Sequence, residues 1–246
     1  MSDASALATR LGALALDLVV ESVSDPVPSV RRVRLTGPGL ENMAPQPGQD
    51  VMLAVSPTAR RRYSIRAYDA GGPWIDLDFV LHGDGPAVTW ATSAQPGDSI
   101  SVIGPRGKVM VDPEAEWHLF VGDDTFVPAS FMMVEALPAG RRAIVVLEVD
   151  EDADHQILET AAELDGPRWV HRAGSAQGEA GLLVAALEGL ELPPGPGHAY
   201  LAGELRVVSA LRSVLLDKGM AAEAISPKPY WRLGVANQDH GEPQRD

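Results

Sequence analysis

The chain contains no cysteine. That excludes a disulfide framework, thiolate zinc sites, iron–sulfur clusters and a cysteine nucleophile together. Aromatic residues make up only 5% of the 246 residues, so each tryptophan and tyrosine is informative. No run of about 18 apolar residues occurs, which excludes a helical membrane span. The apolar stretch over residues 11–20 is interrupted by Asp17 and preceded only by Arg10. It lacks a small-residue cleavage site and reads as a first strand rather than a secretory signal. A cytoplasmic protein is the expectation.

Positive charge is also scarce, with 20 Lys and Arg against 34 Asp and Glu for a net charge of −14. The deficit is uneven. Residues 1–110 hold 10 basic and 11 acidic residues, whereas 111–246 hold 10 and 23, a net of −13. A nucleic-acid binder carries the opposite bias. The shift in charge predicts a domain boundary near residue 110. What remains is ordinary globular composition, 45% apolar and 22% charged, with ample material for a core.

The first half alternates with a period of two. Trp74, Asp76 and Asp78 face one way and Ile75, Leu77 and Phe79 the other, the pattern of a half-buried antiparallel strand. Similar stretches cover 16–22, 30–35, 51–55, 63–68 and 99–103, separated by turns such as Pro96-Gly97-Asp98. Six short strands at this spacing predict a small antiparallel barrel, with one helix over 86–94 opened by Pro86. Beyond Gly107 the rhythm changes. Apolar strands over 117–121, 143–149, 168–171 and 198–202 alternate with helical stretches over 128–137, 182–190 and 205–216. That alternation predicts a parallel-sheet α/β domain over 111–236, ending in a strand at 230–235 and a polar, disordered tail over 237–246.

Three segments carry chemistry. Arg61-Arg62-Tyr63-Ser64-Ile65-Arg66 offers cations, an aromatic ring and a hydroxyl; Arg61 and Tyr63 share one strand face and Ser64 lies on the other. A solvated strand end explains three arginines equally well. Residues 78–91 then carry His82-Gly83-Asp84-Gly85-Pro86, a glycine-opened helix start of the kind that binds phosphate. Most such starts bind nothing. The third is Gly122-Asp123-Asp124-Thr125-Phe126-Val127-Pro128, between a strand and a helix, where an α/β nucleotide domain places a pyrophosphate. Its two aspartates would repel phosphate, so the segment alone argues against binding as much as for it.

Together and in order, these segments resemble the siderophore-interacting protein family, within the ferredoxin-reductase-like flavoproteins. The resemblance runs from about residue 19 to 234. It rests on Arg61-x-Tyr63-Ser64, His82-Gly83, Gly85-Pro86-Ala87, Trp90-Ala91, Pro96-Gly97-Asp98 and Gly104-Pro105-Arg106-Gly107. Gly122-Asp123-x-Thr125-x-x-Pro128, Ala202-Gly203-Glu204 and Tyr230-Trp231-Arg232-Leu233-Gly234 complete it. Each motif alone is common; the ordered set is specific.

The resemblance implies that residues 1–110 form an FAD-binding barrel domain and 111–236 an NAD(P)H-binding-type α/β domain. It implies FAD contacts from Arg61, Tyr63 and Ser64, from Asp78, Phe79, Val80 and His82, and from Gly85, Pro86, Ala87, Thr89 and Trp90. In the second domain Gly122, Thr125, Gly203, Glu204 and Trp231 are the cofactor candidates. The family reduces ferric siderophores, passing electrons from NADH or NADPH through FAD to chelated Fe(III). The protein binds the chelate rather than iron, so no metal motif is required, and no general acid, base or nucleophile is expected. Cationic candidates for the chelate are Arg66, Lys108, Lys228 and Arg232. The six histidines show no metal-ligand spacing, and all but His82 are expected to be structural or superficial.

Three departures bear on the substrate. Val88 stands where the family has a serine, although Thr89 offers a hydroxyl next door. Met132 stands where relatives often have an arginine, and the loop before Arg61, residues 56–60, is short. Two rival readings follow: a flavoenzyme acting on an organic metabolite, and a non-catalytic module in which Phe126 obstructs the nicotinamide cleft. The acidic run Glu148, Asp150, Glu151 and Asp152 favours NADH, because a carboxylate about 4 Å from a 2′-phosphate costs roughly 4 kcal/mol at an effective dielectric of 20. An acidic ferredoxin is disfavoured by the charge of the second half.

Overall fold

The computed structural model describes residues 3–235, and the expected tail over 237–246 lies outside them. The chain divides after Met110 into two compact units. Among the described residues no helix is long and apolar enough to cross a membrane.

The first unit opens with helix α1 (Asp3–Leu11), which the sequence reading did not anticipate. Six strands follow: β1 (Leu14–Val27), β2 (Val30–Thr36), β3 (Asp50–Ser56), β4 (Ala59–Asp69), β5 (Trp74–Val80) and β6 (Ser99–Arg106). They close into an antiparallel barrel in the order β1-β2-β5-β4-β3-β6, as expected. Inward-facing Leu18, Val33, Leu35, Leu53, Ile65, Ile75, Leu77 and Phe79 are fully buried. Each such side chain contributes about 1.5–3 kcal/mol of transfer free energy. Closure also pairs every strand edge.

The alternation in β5 is not half-exposed as its sequence suggests. Register places Asp78 opposite Arg32 and Asp76 opposite Arg34 on β2. Each arginine grips its aspartate through two nitrogens at 2.6–2.8 Å, and Arg34 lies 3.6 Å over the Trp74 ring. The long arginine stems cover the outer face, so both aspartates are buried. Helix α2 (Pro86–Ser93) buries Ala87 and Ala91, and Arg31 donates to the Thr92 carbonyl at its far end.

The second unit is a five-stranded parallel sheet in the order β11-β10-β7-β8-β9. Its strands are β7 (Trp117–Gly122), β8 (Arg142–Val149), β9 (Glu163–His171), β10 (Gly197–Glu204) and β11 (Ile225–Trp231), with helices α3 (Val127–Glu135), α4 (Gly181–Glu188) and α5 (Leu205–Asp217). Leu183 and Leu187 of α4 and Val208, Leu211 and Leu215 of α5 pack with Leu119, Val121, Ile144 and Leu201 of the sheet in one core. The last strand begins at Ile225, five residues before the sequence reading placed it. Pro227 and Pro229 masked it. They are tolerated because β11 is an edge strand that pairs only with β10.

Candidate functional site

In the barrel, β4 runs antiparallel to β3, with Leu53 opposite Arg61, Val51 opposite Tyr63 and Asp50 opposite Ser64. Arg62 is held by Asp50 through Nε and Nη2, the shorter contact being 2.6 Å. Arg61 donates from Nη1 to its neighbour's carbonyl at 2.9 Å. Tyr63, Phe79 and Trp90, distant in sequence, come together: Tyr63 and Phe79 ring centroids lie 4.1 Å apart and Phe79 and Trp90 5.5 Å. Burial pushes the Tyr63 hydroxyl up to about 12, so it stays a protonated donor at neutral pH. Ser64 is buried, and Phe79 is enclosed by the barrel, supporting Tyr63 and Trp90 from below.

The chain leaves the barrel at Val80. Residues 82–86 are exposed. Gly85 is the residue before the first turn of α2, and no side chain caps that end. The first N–H groups of a helix have no intrahelical partner and attract anions. A Cβ added at Gly83 or Gly85 would meet no atom within 4 Å. Packing within the protein therefore does not demand glycine at Gly85, and its absence of a side chain leaves the helix end open. An uncapped helix end, an open approach over glycine and an aromatic cluster with the arginines of β4 alongside fit an FAD. Asp78 enters this site differently from its sequence reading. Its carboxylate is engaged by Arg32, leaving the backbone of Asp78, Phe79 and Val80 as the part that could face a cofactor.

In the second unit the candidates Gly122, Thr125, Gly203, Glu204 and Trp231 lie around one side chain that was not among the cofactor candidates, Asp123. Its Oδ1 accepts from the Thr125 backbone N–H (3.0 Å) and hydroxyl (2.5 Å). Its Oδ2 accepts from the Glu204 backbone N–H (3.0 Å) and the Trp231 indole (2.9 Å). Glu204, fully buried, caps α5 by accepting from the Arg206 and Val207 N–H groups, and its other oxygen accepts from Leu233. Gly122 and Gly203 are required by packing. A Cβ would lie 2.3 Å from the Ala202 carbonyl in the first case and 2.4 Å from Asp123 in the second.

The expected repulsion of phosphate by Asp123 and Asp124 is therefore muted. Asp123 turns inward onto four donors. Asp124 is bound at 2.6 Å by Arg172, a residue the sequence reading passed over. Arg172 is buried and also meets Asp150 at 2.6 Å and Glu148 at 3.4 Å. Burial raises the Asp123 carboxyl above its usual range, reinforced by Asp124 and opposed by the Thr125 and Trp231 donors. Burial likewise holds the Glu148 carboxyl above its usual range against the pull of Arg172.

Phe126 does not stand free in a cleft. It is buried, lies against Gly122, and meets the Tyr230 ring edge-on at 6.2 Å. Of the cationic candidates, Arg66 and Lys108 belong to the barrel unit, the latter exposed. Lys228 lies on β11 with its ammonium 5.6 Å from the Tyr230 ring, and Arg232 is exposed just beyond that strand. Two of the histidines, far apart in sequence, meet in space. Spacing hid a cluster in which ligand atoms of Asp152, His155 and His171 lie within 4.8 Å of one another.

A closed six-stranded barrel followed by a parallel α/β sheet is the ferredoxin-reductase-like fold. Comparison with known proteins narrows the class. The siderophore-interacting FAD-binding domain matches residues 54–109, and the siderophore-interacting protein model matches 115–234. Ferric vibriobactin reductase ViuB of Vibrio cholerae is 31% identical over 208 residues, covering 83% of this chain and 76% of the relative. The NADPH-dependent ferric-chelate reductase of Escherichia coli is 27% identical over 164 residues, covering 67% and 63%. The crystal structure of a siderophore utilization protein from T. fusca superposes with a TM-score of 0.84 at 31% identity, covering 93% of this chain and 96% of that one. The chain belongs to the siderophore-interacting protein family and is a flavin-dependent oxidoreductase whose cofactor is FAD.

Proposed function

We propose that the chain is a ferric-siderophore reductase that takes electrons from a reduced nicotinamide dinucleotide in the cytoplasm. When bound, FAD would supply the exchange between two-electron donors and one-electron acceptors that reduction of two equivalents of chelated Fe(III) requires, and the hard-oxygen chelate would loosen on reduction. The observation that carries this reading is the uncapped, exposed start of α2 beside the Tyr63–Phe79–Trp90 cluster.

The chain's own residues would bind and orient. The N–H groups after Gly85 and Pro86, with Arg61, would hold the pyrophosphate, aided by Thr89. Tyr63 and Trp90 would flank the flavin and ribityl chain, and Ser64 and His82 would line its edge. In the second unit Gly122, Thr125, Gly203, Glu204 and Trp231 would shape the nicotinamide side, with Asp123 positioning them. Arg66, Lys108, Lys228 and Arg232 would attract an anionic chelate.

NADH is the favoured donor. Glu151 and Asp152 are exposed after β8 and oppose a 2′-phosphate, while Arg172 is surrounded by three carboxylates and is not offered to one. The burial of Phe126 against Tyr230 weighs against a non-catalytic module.

An anaerobic assay of the FAD-loaded protein with NADH or NADPH and a ferric catecholate or hydroxamate tests the reading. Ferrous iron formed faster with NADH is the expected result. Flavin that is reduced while iron stays ferric would point to an organic acceptor, and flavin untouched by either nucleotide would overturn the proposal.

A further inference from the structure

The turn after β8 and the end of β9 bring together three ligating atoms, of which the reductase reading uses only the negative charge of Asp152. Asp152 begins a short 3-10 turn, Asp152–Asp154, and His155 follows it directly. His171 ends β9, placed there by parallel pairing of Val149 with His171. His155 Nε2 and His171 Nε2 are 2.7 Å apart. Asp152 Oδ1 lies 3.1 Å from His171 Nε2 and 3.8 Å from His155 Nε2. The His155 ring is nearly parallel to that of Trp169, with centroids 4.9 Å apart, and to that of His171 at the same distance. Both imidazoles are about one-third exposed and the Asp152 carboxylate is 87% exposed, so the cluster opens to water.

No placement of protons gives each of these contacts a linear hydrogen bond. If His171 Nε2 carries a proton for Asp152, then His155 can neither donate to that nitrogen nor accept from it along the same line. If His155 donates to His171, the lone pair used there leaves the Asp152 oxygen facing a nitrogen without a proton. One divalent cation accepts a lone pair from all three atoms at once.

The triangle also has the right size. Ligands about 2.1 Å from a tetrahedral ion stand about 3.4 Å from one another. The observed edges of 2.7, 3.1 and 3.8 Å bracket that value. Two imidazoles with one carboxylate suit borderline first-row ions and not Mg2+ or Ca2+, which prefer all-oxygen shells. The adjacent Glu151 adds negative charge nearby.

We propose that Asp152, His155 and His171 form a solvent-open, three-ligand site for a borderline divalent transition ion of the Zn2+ or Fe2+ type, with the remaining coordination position left to water. The site lies wholly within the second unit, and its failure would leave the reductase reading untouched, because the binding measurement does not involve flavin turnover.

The test is calorimetric titration of the tag-free, chelator-treated full chain, with its flavin bound, against Zn2+ and, anaerobically, Fe2+. One ion per chain is expected, with no binding of Mg2+. Second-shell changes at metal sites lower affinity about 10–100-fold, so loss of a ligand in His155→Ala or His171→Ala should cost at least about 100-fold. Asp152→Asn, a change at an exposed side chain that leaves folding intact, should weaken binding by about tenfold or more. Circular dichroism checks that each variant is folded. Zn2+ binding without Fe2+ binding, or the reverse, identifies the ion. Absence of stoichiometric binding of either, or binding unchanged in folded His155→Ala and Asp152→Asn, would overturn the proposal.

Discussion

The indole N–H of Trp231 donates to Oδ2 of Asp123 at 2.9 Å, joining the end of β11 to the turn after β7 across 108 residues. The same oxygen accepts from the Glu204 backbone, whose side chain caps α5. Three loops at the C-terminal edge of the parallel sheet are thereby tied to one buried carboxylate. That edge is where α/β domains place their ligands.

Trp231→Phe keeps an aromatic ring and removes one of the four donors to Asp123. A hydrogen bond to a buried charged group contributes about 1–3 kcal/mol. Urea denaturation should show a loss in that range, with the m-value unchanged. A variant as stable as the parent would show that the indole bond contributes nothing net.

Gly85→Val probes the open helix end. Its backbone φ of −63° is ordinary for any residue, and the added Cβ meets nothing in the protein. Stability should change by about 1 kcal/mol or less, the scale of a helix-cap replacement. FAD affinity should fall about tenfold or more, equivalent to 1.4 kcal/mol. Fluorescence titration with FAD reads the effect, and unaltered affinity would remove the pyrophosphate from this helix.

Arg32→Met leaves the Asp78 carboxylate buried without its two charged donors. Breaking such a pair from one side costs on the order of 3 kcal/mol. Thermal melting should show a clear drop, and Asp78→Leu in the same chain should recover part of it, since the second change removes the stranded charge.

Acid stability carries a signature of His118. Burial first, and then His198 and Arg141, hold this imidazole down at about 4, against its ordinary 6.5. A depressed folded-state value means that the unfolded chain binds more protons between those limits. Stability is therefore fully present above pH 6.5 and is lost as pH falls toward 4, by on the order of 3 kcal/mol from this group. In His118→Phe that part of the slope should disappear, while Tyr200 retains its bond from the Asp112 N–H at 2.7 Å. Melting curves from pH 4 to 7 for both proteins decide it.

Much of this protein was legible in its sequence, and the reason is local. A period of two, interrupted by Pro-Gly turns, specifies antiparallel strands because alternate side chains face opposite sides of a sheet. Alternating strand and helix specifies the parallel sheet, and Gly85-Pro86 marks a helix start by backbone chemistry alone. Cysteine's absence excluded whole classes of site without any structure. Tertiary structure decided what depends on pairing between distant segments. Register set Arg32 opposite Asp78 and turned an apparently exposed aspartate into a buried one. An edge position made Pro227 and Pro229 acceptable in a strand. Strand order brought Asp123 to Trp231 and His155 to His171. Sequence spacing records separation along the chain, whereas contact distance depends on how the sheet orders its strands.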